Sequence, residues 1–139
     1  MALVCAAAIC AVSVCLVPRF ALGAALHPAF YHRTTKETAA AAAVAAVPPG
    51  VTVEAVNHLG PHLSGRDTVL LWDGDGGSPL YPPWVLASVA GRQFTFHSVK
   101  QQEQRIALLR KHGYKTVFDR GGYIVLHGPG ADAPAAGTR

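Results

Sequence analysis

The hydrophobic pattern divides the chain into an unbroken apolar start and a remainder in which helical and strand periodicities alternate. Residues 2–17 are apolar apart from Ser13, and after Pro18-Arg19 the apolar character resumes as Phe-Ala-Leu-Gly-Ala-Ala-Leu up to Leu26. Counted to Leu26, the stretch exceeds the roughly 20 residues that cross a hydrocarbon core. It predicts a transmembrane helix over 1–26, with Pro18 as a kink or exit point and Arg19 snorkelling to the headgroups. A secretory signal peptide cleaved near Ala21-Leu22-Gly23 is the rival reading, but the positive n-region such a peptide needs is missing. A buried helix of a soluble protein is the third.

Residues 27–33, His-Pro-Ala-Phe-Tyr-His-Arg, mix aromatic and basic groups as interfacial connectors do. Thr34-x-x-Glu37 has the form of a capping box, opening an alanine-rich helix that Pro48-Pro49-Gly50 ends. The period then shortens. Residues 51–56 read as a first, β-branched strand; 57–65 as a short helical turn or loop; 68–72 as an apolar strand buried on both faces. Asp73-Gly-Asp-Gly-Gly-Ser-Pro79 is a loop, and 84–89 a third strand. Ser98-x-x-Gln101 is a second capping box, before a helix with Val99, Ile106 and Leu109 at helical spacing and a stop at Lys111-His112-Gly113. Residues 114–118 and 123–126, joined by Asp119-Arg120-Gly121-Gly122, form a hairpin. Residues 129–139 are Ala, Gly and Pro-rich and read as a disordered tail.

This order predicts an α/β fold: an N-terminal transmembrane helix, then a small Rossmann-like three-layer domain over 34–128, parallel in the centre of its sheet, with a C-terminal β-hairpin. The predicted core is Leu70, Leu71, Val85, Leu86, Ile106, Leu109, Ile124 and Leu126. Asn57-His58-Leu59-Gly60-Pro61 follows the first strand where a dinucleotide site would need a glycine-rich turn, so no dinucleotide cofactor is expected.

Composition narrows the classes. The net charge of +4 is spread along the chain without a basic cluster, so a nucleic-acid partner is not expected. The three cysteines, Cys5, Cys10 and Cys15, all lie in the apolar start, leaving the folded part without disulfide, thiol nucleophile or cysteine metal site. His58 and His62 stand four apart, as zinc ligands on one helix face would, but Gly60-Pro61 between them disfavours a regular helix and no third ligand is evident. Asp73-Gly-Asp-Gly-Gly lacks the closing glutamate of a calcium loop. His97-Ser98 are too close in sequence for a nucleophile and its base, and Trp72 and Trp84 read as core or membrane-proximal packing residues in preference to sugar platforms. No catalytic residue, metal or cofactor is assigned. Asn57, His58, His62 and Asp73 are the candidate ligand contacts; Asn57, His58 and Asp73 fall at the carboxyl ends of the parallel strands, where α/β sheets bind ligands.

Val47-Pro48-Pro49, the strand with Val51 and Val53, Asn57, Pro61-His62-Leu63-Ser64 with Arg66, Trp84-Val85-Leu86, Gly113-Tyr114 and Asp119-Arg-Gly-Gly-Tyr-Ile-Val-Leu126 share an order and spacing. Together they resemble the C-terminal portion of the predicted multi-pass membrane proteins called domain of unknown function 2079. Those proteins are similar in layout to membrane glycosyltransferases that use lipid-linked sugars. The resemblance covers most of 27–128 and implies a final membrane helix followed by an extracytoplasmic domain. It carries no catalytic residue across, because in such transferases the catalytic acids lie in earlier loops. Arg19, Arg33 and Lys36 pull the other way, favouring a cytoplasmic C-terminal side for a lone helix. In a polytopic parent the earlier helices would fix the orientation, so the extracytoplasmic side is the expectation.

Two functional classes follow. One is a membrane-anchored, non-catalytic domain of a glycosyltransferase-like membrane protein, a truncated product among its variants, whose partners are the lipid bilayer, other membrane helices or a glycan. The other is a free-standing α/β module that binds a small ligand.

Overall fold

The computed structural model describes residues 2–16, 23, 25, 27–74, 81–129 and 131. The chain divides into two compact units, 1–34 and 35–139.

In the first unit, α1 spans Ala2–Leu16, a run without a charged residue. At 1.5 Å per residue its 15 residues extend about 22 Å, short of a hydrocarbon core of roughly 30 Å. The expected spanning helix over 1–26 is therefore not found: no helix among the described residues is long and apolar enough to cross a membrane. Residues 17–22, 24 and 26, over which it was expected to continue, lie outside the described ones. The connector forms a 3-10 turn over Pro28–Tyr31, with Phe30 and Tyr31 edge to face at 5.4 Å and the Tyr31 hydroxyl donating to the Ala25 carbonyl at 2.8 Å.

The second unit is a mixed α/β structure. Its helices are α2 (Thr35–Ala45), α3 (Gly60–Leu63) and α4 (Val99–Lys111), and its strands β1 (Thr52–Ala55), β2 (Thr68–Leu71), β3 (Trp84–Ser88), β4 (Lys115–Arg120) and β5 (Tyr123–His127). The five strands form one sheet in the order β2-β1-β3-β5-β4. β1 is parallel to both β2 and β3, and β5 is antiparallel to β3 and β4, as a parallel centre with a terminal hairpin requires.

Register assigns the faces. Glu54 stands beside Val85, and Val85 beside Leu126, so these side chains share one face. α4 lies on it, since Arg105 reaches Glu54 and Arg110 reaches Thr116 on β4. On the opposite face α3 lies against β2, with Gly60 next to the Val69 side chain. α2 packs on β5 and β4 through the buried Ala39 and Ala43. An alanine face permits that close approach.

Local signals account for the boundaries. The Ser98 hydroxyl caps α4 by accepting from the Gln101 backbone N–H at 3.2 Å, while the Gln101 side chain accepts from the His97 N–H at 2.8 Å, one residue before the usual reciprocal partner. Gly113, at φ +87°, follows the helix end at His112. The hairpin turns on Gly121 and Gly122, at φ +61° and +78°, as a two-residue type I′ loop demands. A Cβ on Gly122 would sit 2.9 Å from the Ala90 backbone nitrogen. Gly122→Ala combines that clash with a left-handed φ and should destabilise the unit by about 1–3 kcal/mol. A shift of the urea midpoint measures it; an unchanged midpoint would mean that this turn is not formed.

Six of the eight predicted core residues are buried: Val85, Leu86, Ile106, Leu109, Ile124 and Leu126. Leu70 is only half-buried and Leu71 is 41% exposed. The reading of 68–72 as a strand buried on both faces is thus corrected. β2 is an edge strand, and the large side chain that enters the core there is Trp72, just past its end, against Phe96 at 4.4 Å. Trp84 packs on His127 at 4.7 Å, and both tryptophans are core residues as expected. On α4 the core face also carries Gln102, fully buried and satisfied: its amide donates to the Ser88 and Gly91 carbonyls and accepts from the Gln93 N–H. Of the predicted tail only Pro129 and Ala131 are described.

Candidate functional site

Because β1, β2 and β3 run parallel, their carboxyl ends bring three segments to one edge of the sheet: Val56-Asn57-His58, Trp72-Asp73 and Val89-Ala90. The chain leaves β1 toward β2 on one side and returns to β3 on the other, so β1 and β3 flank the switch point. β5 begins at this same edge, where the Gly122 carbonyl accepts from the Val89 N–H at 2.8 Å. Tyr123 thereby joins the site from 65 residues away.

His58 and Tyr123 are its centre. The His58 Nε2 and the Tyr123 hydroxyl are 3.1 Å apart, with ring centroids at 5.8 Å. Partial burial holds the imidazole below its usual pKa, and the Lys36 cation and His62 push it the same way, against a hydrogen bond with Gln93. Burial also raises the Tyr123 phenol. The pair is therefore neutral at physiological pH and offers hydrogen bonds without charge.

His62 lies on α3, whereas His58 precedes that helix, so the two do not share a helix face. Among the described residues no group of three or more His, Cys, Asp or Glu is placed to hold a metal. Asn57 is exposed at the edge. Asp73 sits over β1 on the β2 side, its backbone N–H donating to the Glu54 carboxylate at 3.2 Å. Asp75, its expected companion in the glycine-rich loop, lies outside the described residues.

Glu54, an acid in the first strand with no evident partner in its sequence neighbourhood, acquires one in the fold. Glu54 is fully buried in the middle of β1 and paired with Arg105 of α4 at 3.6 Å. Burial pushes its pKa up to about 7, against the lowering influence of the Asp73 N–H and the Arg105 guanidinium. The two residues are 51 positions apart, and no local pattern announces such a pair. Tyr123 and Gln93 were missed for the same reason; the position of the hairpin start beside β3 is the only cue that could have found Tyr123.

The fold and this edge define a small mixed α/β domain with a neutral, hydrogen-bonding switch point. Compared with protein-family models, curated proteins and solved structures, the chain matches none.

Proposed function

We propose that the chain is a membrane-attached, non-catalytic binding domain, Rossmann-like in outline, related to the C-terminal portion of the domain of unknown function 2079 proteins and placed on the extracytoplasmic side. The observation that carries membrane attachment is α1. It is apolar all round, with Ile9, Val12 and Val14 between half and three-quarters exposed. Such a helix needs an apolar environment on every side, which lipid supplies. The non-catalytic part is supported by how the acids are used. Glu54 is bound to Arg105, Asp67 to Arg66 and to the Val51 N–H, and Asp119 to Arg110, so these carboxylates serve the scaffold.

With a C-terminal tag, the chain should stay in the membrane pellet through a carbonate wash, and the tag should be protease-accessible from the extracytoplasmic side. Release into the supernatant would overturn attachment. Incubation with polyprenyl-phosphate sugars should give no transfer, and turnover abolished by Asp73→Asn would overturn the non-catalytic reading.

A further inference from the structure

At the end of the sheet opposite His58, where β3 begins and β5 ends, lies a cleft of about 340 Å³. Tyr81, Pro82, Pro83, His112, Tyr114 and Pro129 line it. Its floor is fixed by hydrogen bonds. The Tyr114 hydroxyl donates to the Pro82 carbonyl at 2.6 Å, and the Gly128 N–H to the Pro83 carbonyl at 2.8 Å. Gly128 fits closely here, because a Cβ would come to 3.0 Å from the Tyr114 ring and 3.2 Å from the Pro83 carbonyl oxygen. Rings and pyrrolidines held in this way lose little freedom when a ligand arrives.

The mouth carries the polar chemistry. Tyr81, 42% exposed, packs against His112 with ring centroids at 4.4 Å and ring planes tilted by 45°, and its hydroxyl lies 2.8 Å from His112 Nε2. When the imidazole is neutral, it and the phenol together hold two polar hydrogens and use one between them. Whichever tautomer is present, one hydrogen is left to donate outward, from the phenol or from the other ring nitrogen. The Tyr114 hydroxyl and the Gly128 N–H are already committed to backbone carbonyls.

A ligand suited to this cleft presents flat apolar rings to the tyrosines and an acceptor to the single outward donor. A saccharide needs several donors and acceptors around its ring. A polyproline II segment needs few, since its prolines have no N–H and its carbonyls project unbonded. Among the described residues no acid lines the cleft, and the exposed Lys111 and Lys115 adjoin His112 and Tyr114 in sequence. We propose that this cleft binds a proline-rich polyproline II segment with an acidic flank, its rings stacked on Tyr81 and one carbonyl accepting from the Tyr81–His112 pair. This binding does not depend on membrane attachment.

The test is fluorescence anisotropy of a labelled oligoproline peptide ending in two aspartates, titrated with the full chain in detergent micelles. Saturable binding is expected, weakened about tenfold or more by Tyr81→Ala, as loss of an aromatic anchor does. His112→Ala, at an exposed position, should weaken it as well, whereas Phe94→Ala, at a side chain 81% exposed and outside the cleft lining, should leave it unchanged. Unaltered circular dichroism of each variant separates lost binding from lost folding. Absence of saturable binding, or equal affinity in wild type and both cleft variants, would overturn the proposal. So would perturbation of the Tyr81 resonances by free saccharides and not by the peptide, which would make the cleft a sugar site.

Discussion

Truncating Leu86 to alanine should lower the free energy of unfolding by about 2–5 kcal/mol. Leu86 lies on β3, the middle strand of the five, and is fully buried. In register it stands between Ala55 on β1 and Val125 on β5, so the backbone on both sides is held by ladder hydrogen bonds. The surroundings can collapse only partly onto the space left by the lost methyl groups, and the cost is the transfer free energy plus that of the residual cavity. Urea unfolding of the full chain in detergent, followed by circular dichroism, reads the change from the midpoint at constant slope. A loss below about 1 kcal/mol would show that β3 is not the centre of the core. Leu71→Ala is the contrast. At 41% exposure on the edge strand, it should cost less than about 1 kcal/mol, although its apolar surroundings in sequence resemble those of a core position.

The second large effect is a loss of stability as the pH rises. Glu54 has a folded pKa of about 7 against 4.5 for the free side chain, chiefly because burial disfavours the carboxylate. Between these values the folded state holds the proton that the unfolded state has released. The contribution of Glu54 is therefore fully present below pH 4.5 and is lost as the pH climbs through 7, a fall on the order of 3 kcal/mol. His58 acts in the opposite sense: its depressed pKa makes folding less favourable as the pH falls below the free-histidine value of 6.5. The informative quantity is thus the difference between wild type and Glu54→Gln, in which His58 is common to both. Glutamine can still accept from the Asp73 N–H, so the variant should be more stable than wild type near pH 8 and lose that advantage toward pH 5. A difference independent of pH would show that Glu54 stays ionised, held so by Arg105.

Much of this fold was legible in the chain because its elements carry their own boundary chemistry. Ser98 and Gln101 cap α4, Gly113 ends it, and Gly121-Gly122 sets a two-residue hairpin, each through contacts within a few residues. The strand periodicities of β1, β3 and β5 located the buried positions Val85, Leu86, Ile124 and Leu126. Of the candidate site, His58 and Asp73 were legible as residues following parallel strands, since a parallel sheet collects such ends at one edge. Their partners were not.

The sequence alone determined what depends on neighbours: an apolar helix at the start, the order of helices and strands, the cap at Ser98, the glycine turn, and the absence of cysteine from the folded unit. Only the tertiary structure decided what depends on which strands come to lie side by side. It put β2 at the edge, which exposes Leu71 although the strand is as apolar as a central one. It set Glu54 under Arg105 and His58 against Tyr123, across 51 and 65 residues. It also closed Tyr81, the His112 and Tyr114 pair, and Pro129 into one cleft from three separate segments. The physical reason is the same throughout. Hydrogen-bonded periodicity and capping act over one or two turns of chain, whereas burial, ion pairing and cavity shape depend on strand order, which that local pattern does not encode.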